Sequence, residues 1–368
     1  MKINAEKFHR FAQKTTPATF TSINLGCRVN AAETNQLSQT LLNHGFAPSS
    51  KNPKIILINT CAVTKKGEGE SIRKVKFYSK KYPRSHILVT GCISPQKLKN
   101  IKNIYFFNNS EKQKILTKNC SYTPKIRDKF SSSHRYILKI QSGCQHFCSY
   151  CIVPYRRPSL WSLPISKAID IVNQAVKNGY QEIIITGTNL NLYKPGLANL
   201  VKSLLAQTTM PLISFGSVPL NCLNNKFIKI VTSYQLPACR QARRVTSYLH
   251  IPLQSGSDKV LKSMNRPYTR KKILKVIKKC KLKIKNLSLG TDIIVGFPNE
   301  SKTDFLQTLN LCRQIGFNKI HVFRYSPRPG TSAQKLFQTL PKIKNSEKIR
   351  RSQFISRTTL PSRQTPEH

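Results

Sequence analysis

Three cysteines in one octet, Cys144-Gln-His-Phe-Cys148-Ser-Tyr-Cys151, are the residues best placed to do chemistry. Thiolates spaced this closely can hold three irons of a four-iron, four-sulfur cube. Such a cube normally takes four cysteines, so a set of three leaves one iron open to another ligand. Zinc is the plainer occupant, but structural zinc sites usually combine two short Cys or Cys/His pairs. No second pair lies near the octet, and His146 is the only local candidate for a fourth zinc ligand.

Three further cysteines follow another pattern. Each closes an apolar run: Thr21-Ser-Ile-Asn-Leu-Gly-Cys27, Lys54-Ile-Ile-Leu-Ile-Asn-Thr-Cys61 and His86-Ile-Leu-Val-Thr-Gly-Cys92. Helical stretches, 31–43 and 68–80, lie between the runs. Strands alternating with helices imply a parallel sheet, whose strand carboxyl ends share the edge where ligands bind. The three thiolates would converge there as a second cluster site with an open iron. The plainer reading is three buried strand-end cysteines, since free cysteine is among the most buried residue types. Three at equivalent positions favour the site.

The elements that must position the octet come next. After a polar, basic stretch there are six more apolar runs: Tyr136–Ile140, Glu182–Thr186, Leu212–Ser217, Ser247–Leu253, Leu287–Val295 and Lys319–Tyr325. Helical patterns separate most of them, most clearly at 165–177 and 303–315. The fold class is α/β: an N-terminal parallel sheet domain (20–116) and a partial (β/α)6 barrel (134–340). A linker (117–133), an N-terminal extension (1–19) and a basic C-terminal tail (341–368) complete the expected division. Barrel function gathers at strand carboxyl ends, and the octet follows the first strand. Gly187, Asn189, Gln254 and Gly296 mark other strand ends, where glycine lets a ligand approach the backbone; each is also compatible with a simple turn.

The 368 residues carry 62 Lys+Arg against 14 Asp+Glu, a formal +48. Such a field attracts polyanions, nucleic acid first. A genome rich in A and T would also enrich Lys, Asn and Ile, and both causes fit. No apolar run approaches the ~20 residues of a membrane span, and Met1–Thr21 has no secretory h-region. Eleven cysteines without such a signal indicate a reducing, cytoplasmic setting and metal chemistry rather than disulfides.

The octet is similar to the radical S-adenosylmethionine (SAM) signature, C-x3-C-x-(aromatic)-C. From 20 to 333 the chain resembles the radical SAM methylthiotransferases. Leu25-Gly-Cys-Arg-Val-Asn-Ala-Ala-Glu33, Asn59-Thr-Cys-Ala-Val-Thr64 and Thr90-Gly-Cys92 carry the resemblance in the first domain. Cys148–Tyr155, His250–Ser257, Thr291–Pro298 and Phe323–Thr331 carry it in the second.

The resemblance implies two [4Fe-4S] clusters and SAM. Cys144, Cys148 and Cys151 would hold the cluster whose open iron takes SAM, with Tyr150 beside the adenine. Cys27, Cys61 and Cys92 would hold the cluster that carries or donates sulfur. One SAM would methylate that sulfur. Another would give a 5′-deoxyadenosyl radical that takes hydrogen from C2 of an adenine 3′ of the anticodon, where methylthio replaces it. Gly187, Asn189, Ser217, Gln254 and Gly296 join Tyr150 as expected SAM contacts, and no side-chain acid–base pair is expected. Expected partners are the tRNA anticodon loop and an electron donor such as flavodoxin or ferredoxin, with no membrane. Arg156, Arg157 and Arg328 are expected to bind substrate; Arg156 and Arg157, with Arg240, Arg243, Arg244 and the lysines of 271–285, are the candidates for its phosphates.

Arg28-Val29-Asn30 and Ala62-Val63-Thr64 resemble the branch acting on N6-threonylcarbamoyladenosine. The alternatives are isopentenyladenosine, a ribosomal-protein aspartate, or a decayed, non-catalytic cluster protein that binds RNA. Three departures stand out. The family's C-terminal RNA-binding (TRAM) barrel is expected to be missing. Phe215-Gly-Ser-Val-Pro219 lacks the glutamate of a Ser-x-Glu-Pro stretch. The segment 234–247 follows no family pattern.

Overall fold

The computed structural model describes residues 19–118, 134–233, 244–340 and 343–359. Its first sheet contains β1 (Thr19–Asn24), β2 (Ala47–Pro48), β3 (Ile55–Thr60), β4 (His86–Gly91) and β5 (Ile104–Phe106). They run in the order β2-β1-β3-β4-β5, with every pairing parallel. β3 is buried along its whole length, as a central strand covered on both faces must be. Helices α1 (Arg28–Asn43), α2 (Lys65–Lys81) and α3 (Asn109–Lys118) supply the crossovers and cover. Thr64 caps α2 by accepting from the Gly67 N–H, the usual work of a threonine at that position.

The second sheet is the expected open barrel. β6 (Arg135–Ser142), β8 (Glu182–Gly187) and β9 (Leu212–Phe215) are parallel, and the short β7 (Trp161–Ser162) runs antiparallel along the outer edge of β6. β10 (Tyr248–His250), β11 (Ser288–Val295) and β12 (Lys319–Arg324) form a second parallel group. Single bridges, Ile213 to Val245 and Ser217 to His250, join the two groups. Among the described residues no pairing closes β12 onto β6. The intervening helices are α4 (Val153–Arg156), α5 (Ile165–Lys177), α6 (Leu197–Gln207), α7 (Asn225–Ser233), α8 (Asp258–Ser263), α9 (Arg270–Lys283) and α10 (Lys302–Ile315). After β12 come α11 (Ser332–Thr339) and α12 (Asn345–Ser356).

Strand alternation divides this sheet chemically. Leu249, Leu289, Ile293 and Ile320 enter the apolar core shared with the helices. Their neighbours His250, Gly290, Asp292, His321 and Phe323 lie on the opposite, inner face, in register across three strands.

α3 runs to Lys118, past the expected domain end at 116. The expected tail contains α12, which docks on the barrel: Ile355 is fully buried, and Arg351 Nη1 lies 2.7 Å from Glu300 Oε2. A basic sequence concealed this because the helix buries only a narrow face. The extension 1–18, the stretch 119–133, most of 234–247 and the end 360–368 lie outside the described residues. Arg240 and Arg243 therefore lie there too.

Candidate active site between two cysteine triads

The first triad is assembled by the parallel sheet. β1, β3 and β4 are adjacent, so their carboxyl ends share one edge. Cys61 and Cys92 follow β3 and β4 directly, and Cys27 caps α1 just beyond β1. Ser71 of α2 clamps Cys61: its hydroxyl accepts from the Cys61 N–H at 3.0 Å and donates to the Cys61 carbonyl at 2.9 Å. Gly91 has φ +105°, and a Cβ there would lie 2.4 Å from the Thr60 carbonyl oxygen. Only glycine allows β4 to turn into Cys92 at that distance from β3. Burial pushes the Cys61 thiol up, and Cys92 and Cys27 push it further.

The second triad is built by one loop. Met264, Asn265 and Arg266, just after α8, hold it in place. The Ser149 N–H donates to the Met264 carbonyl at 3.1 Å, and the Asn265 amide donates to the His146 and Phe147 carbonyls. Arg266 Nη1 lies 3.4 Å from Cys148 Sγ, the Val153 N–H lies 3.4 Å from Cys151 Sγ, and Asn189 Nδ2 lies 3.7 Å from Cys144 Sγ. Burial pushes the Cys151 thiol up to about 12; Cys148, Cys144 and also Cys92 act in the same direction.

Cys92 of the first triad acts electrostatically on Cys151 of the second, so the two triads are near one another. Asn109 ties their supports together: its amide donates to the Gly91 carbonyl at 2.8 Å and to the Arg156 carbonyl at 2.9 Å. Among the described residues, neither triad draws its donor atoms within 4.8 Å of one another. Sulfurs bound to one zinc ion at about 2.3 Å would be closer than that. A larger, multi-atom group fits both triads better, and His146 completes no zinc set.

A buried ionic knot joins the halves. Glu33 of α1 meets Arg157 (2.7 Å), Lys112 (2.6 Å) and Lys139 (3.1 Å). Arg157 Nη2 also donates to Glu33 Oε2 and to Asn30 Oδ1, both at 2.8 Å. Burial alone would raise the Glu33 carboxyl, but the three cations together hold it well below its ordinary value. Lys112 is pushed down to about 8 because burial outweighs its attraction to Glu33.

Two of the three arginines expected to bind substrate lie inside the protein. Arg157 is only 4% exposed and is spent on Glu33. Arg328 is 3% exposed and lies 2.9 Å from Glu68, where its charge lowers the Cys61 thiol. Both point inward because burying a carboxylate demands a paired cation. Arg156 remains partly exposed. Arg244 caps α6, donating to the Leu205, Thr208 and Met210 carbonyls.

The expected SAM contacts divide. Asn189 reaches Cys144, and Ser217 lies exposed where β9 bridges His250. Tyr150 packs against the apolar cluster containing Met264, Phe297 and Tyr325, near Arg266. Gln254 takes a left-handed φ of +77°, unusual for a side-chain-bearing residue, and ties its backbone to Asp292 and Ile294. Gly187 serves packing, since a Cβ there would meet Leu190 and Gln141 at 2.9 and 3.0 Å. Gly296 does not offer the expected open approach. The Lys348 stem fills the space where its Cβ would stand, and its N–H donates to Glu300.

Sequence reading gave no role to Arg266, Glu33 or the inner-face residues Tyr248, His250, Asp292 and His321. Tyr248 Oη lies 3.1 Å from His250 Nδ1, His250 Nε2 lies 2.9 Å from Asp292 Oδ1, and His321 Nδ1 lies 3.2 Å from the same oxygen. The alternation of Tyr248 and His250 with apolar neighbours was a readable signal; their meeting with Asp292 and His321 depends on register.

Comparison with known proteins matches these two halves separately. Residues 138–312 match the Radical SAM superfamily, and residues 19–109 match a family described as "Uncharacterized protein family UPF0004". The threonylcarbamoyladenosine tRNA methylthiotransferase MtaB of Chlamydia pneumoniae is 32% identical over 88% of this chain and 78% of its own. The Aquifex aeolicus protein of the same name is 30% identical, over 89% and 85%. A tRNA-2-methylthio-N(6)-dimethylallyladenosine synthase of Endomicrobium trichonymphae is 31% identical, over 86% and 78%. In fold, the chain is similar to the radical SAM methyltransferase TsrM of Kitasatospora setae, with a TM-score of 0.63 and 11% identity over 86% of this chain and 77% of that one.

Proposed function

We propose, from the premise that this chain belongs to the radical SAM tRNA methylthiotransferase family, that it adds a methylthio group to C2 of N6-threonylcarbamoyladenosine 3′ of the anticodon. The supporting observation is the tie between the two triads' supports, where the Asn109 amide donates to the Gly91 carbonyl before Cys92 and to the Arg156 carbonyl after Cys151. A sulfur donor and a radical source must reach one base, and two neighbouring triads provide for both.

Cys27, Cys61 and Cys92 would hold one [4Fe-4S] cluster; Cys144, Cys148 and Cys151 would hold the other, together with SAM. The donor sets fit. The thiols are too spread for a single ion, and burial keeps Cys61 and Cys151 protonated until a metal offsets their charge. When bound, these groups supply the sulfur, the methyl group and the hydrogen-abstracting radical. The protein supplies position and electrostatics.

Arg266 sets a positive charge against Cys148, and Asn189 sets an amide against Cys144. Tyr150, Ser217 and Gln254 lie around the same strand ends and would border SAM. Asn109 and the Glu33 knot hold the two halves at a fixed separation. The base must leave its stack to enter, as anticodon-loop bases can. Arg156 and the exposed lysines of α9 would meet phosphates. An electron donor of the flavodoxin or ferredoxin type and a cytoplasmic location complete the reading.

Arg28-Val29-Asn30, Ala62-Val63-Thr64 and the relatives named for threonylcarbamoyladenosine support this substrate. The relatives named for dimethylallyladenosine support isopentenyladenosine as the second reading. The test is mass spectrometry of tRNA nucleosides from a host lacking its own enzyme, with and without this gene. Appearance of 2-methylthio-N6-threonylcarbamoyladenosine is expected. Appearance of only the isopentenyl product would replace the first reading with the second.

A further inference from the structure

Tyr248, His250, Asp292 and His321 take no part in holding either triad, yet strand register gathers them on the inner face of β10, β11 and β12. His250 Nε2 stands 2.9 Å and His321 Nδ1 3.2 Å from Asp292 Oδ1. The three atoms all lie within 4.8 Å of one another. Two ligands bound to one ion at about 2.0–2.1 Å stand roughly 3 Å apart. Two sides of this triangle therefore already have the length of a coordination edge. His321, whose side chain is 46% exposed, can turn to close the third.

A metal-binding histidine usually has its other ring nitrogen held by a polar partner, which fixes the tautomer. His250 is held in this way, with Nδ1 3.1 Å from Tyr248 Oη. Gly290 makes room for the pair: a Cβ there would collide with Tyr248 Oη and lie 2.6 Å from His250 Nδ1. In the tautomer that donates Nδ1–H to the hydroxyl, His250 Nε2 and Asp292 Oδ1 are two acceptors facing each other at 2.9 Å. Only a shared proton or a metal ion reconciles them.

The carboxylate is also unlike its counterparts. Glu33, Glu68, Glu182, Glu300 and Asp304 each lie against a lysine or an arginine. In a chain with 62 Lys+Arg, Asp292 has two imidazoles instead. Its Oδ2 takes no hydrogen bond from the described residues. A shielded carboxylate demands a cation, and two imidazole nitrogens beside it complete a donor set that suits a first-row metal.

We propose that His250 Nε2, Asp292 and His321 Nδ1 form a binding site for a first-row divalent cation of the zinc or iron(II) kind, sharing no residue with either cysteine triad. Three protein donors leave at least one position on the ion open, for water or an oxygen-bearing group inside the barrel. Thiolates and this nitrogen–oxygen set favour different occupants, so the chain can hold both. The site stands whichever adenosine is the substrate.

The experiment adds zinc sulfate to the cluster-loaded protein, removes the excess by gel filtration and measures retained zinc and iron. Zinc X-ray absorption then reads the ligands, because the zinc edge is separate from that of iron. Wild type is expected to retain one equivalent of zinc, with nitrogen and oxygen at about 2.0–2.1 Å and scattering from imidazole. His321→Ala is expected to retain none while its iron is unchanged. Tyr248→Phe is expected to bind zinc about tenfold more weakly, because His250 loses the partner that orients it.

No retained zinc in wild type overturns the site. So does sulfur at about 2.3 Å in the wild-type zinc shell, or equal retention by His321→Ala. The wild-type spectrum needs no variant, so poor folding of His321→Ala cannot hide the answer. The nucleoside assay above tests the functional reading separately, and neither result decides the other.

Discussion

The two cysteine triads are built by opposite routes. Cys144, Cys148 and Cys151 belong to one loop after one strand, braced by Asn265, Arg266 and Asn189. Cys27, Cys61 and Cys92 come from three strand ends and meet only because β1, β3 and β4 are parallel neighbours in register. The loop triad needs local geometry; the sheet triad needs its whole domain folded. A change in the first sheet should therefore damage one triad and spare the other, unless it breaks the ionic knot that joins the halves.

The largest effect tests whether each triad holds its own cluster. Cys61→Ala and Cys148→Ala should each lower reconstituted iron by about half and each abolish methylthio product. Iron at the wild-type level in Cys61→Ala would show that the sheet triad holds no cluster.

Glu33→Gln should damage both halves together, because it strands Arg157, Lys112 and Lys139 without their carboxylate. Removing one partner of a buried ionic set costs about 3–5 kcal/mol, measurable by denaturant unfolding. The Glu33 carboxyl sits well below its ordinary value of 4.5 in the folded protein. Its stabilisation is therefore complete above pH 4.5 and is lost as pH falls through the lowered value. The stability gap between wild type and variant should be flat from neutral pH to about 4.5 and shrink below it. A gap that widens in acid would contradict the sign.

Gly91→Ala sharpens the contrast at smaller scale. Forcing a side chain onto φ +105° against the Thr60 carbonyl costs about 1–3 kcal/mol of local strain. Iron should be lost from the sheet triad while the loop triad keeps its share, as spectra of the two clusters can report. Equal loss from both would show that the triads are not independent.

The smallest effect concerns α9, remote from either triad. Lys271, Lys275 and Lys278 are exposed there. Replacing all three with glutamine should leave stability within about 0.5 kcal/mol. The logarithmic salt dependence of tRNA binding should become shallower by about one unit per lysine that touches a phosphate. An unchanged slope would remove α9 from the tRNA path.

The contrast between the triads also explains what the sequence disclosed. The octet was legible because its ligands are near in sequence, and the strand-end cysteines because apolar runs that alternate with helices and each end in Cys imply one sheet edge. The burial of Arg157 and Arg328 was not legible, because a chain with 62 basic residues gives no local sign of which ones turn inward. Glu33 had a signal: Val29, Glu33 and Leu37 are four apart and share a helix face, which placed a carboxylate among buried positions. Its cations could not be named, since Lys112, Lys139 and Arg157 come from three separate elements. α12 was taken for tail because its buried face is only Lys348, Arg351 and Ile355.

By itself the sequence determined the strand and helix order, the two sets of cysteines and the family they indicate, because periodicity and ligand spacing are local properties of the chain. The tertiary structure alone decided that the supports of the two triads are tied together, that Glu33 binds the halves through three cations, and that Tyr248, His250, Asp292 and His321 meet on the inner face. These depend on strand register and on how α1 lies across β6 and β8, and charge pairing inside a protein is settled by which groups are buried together.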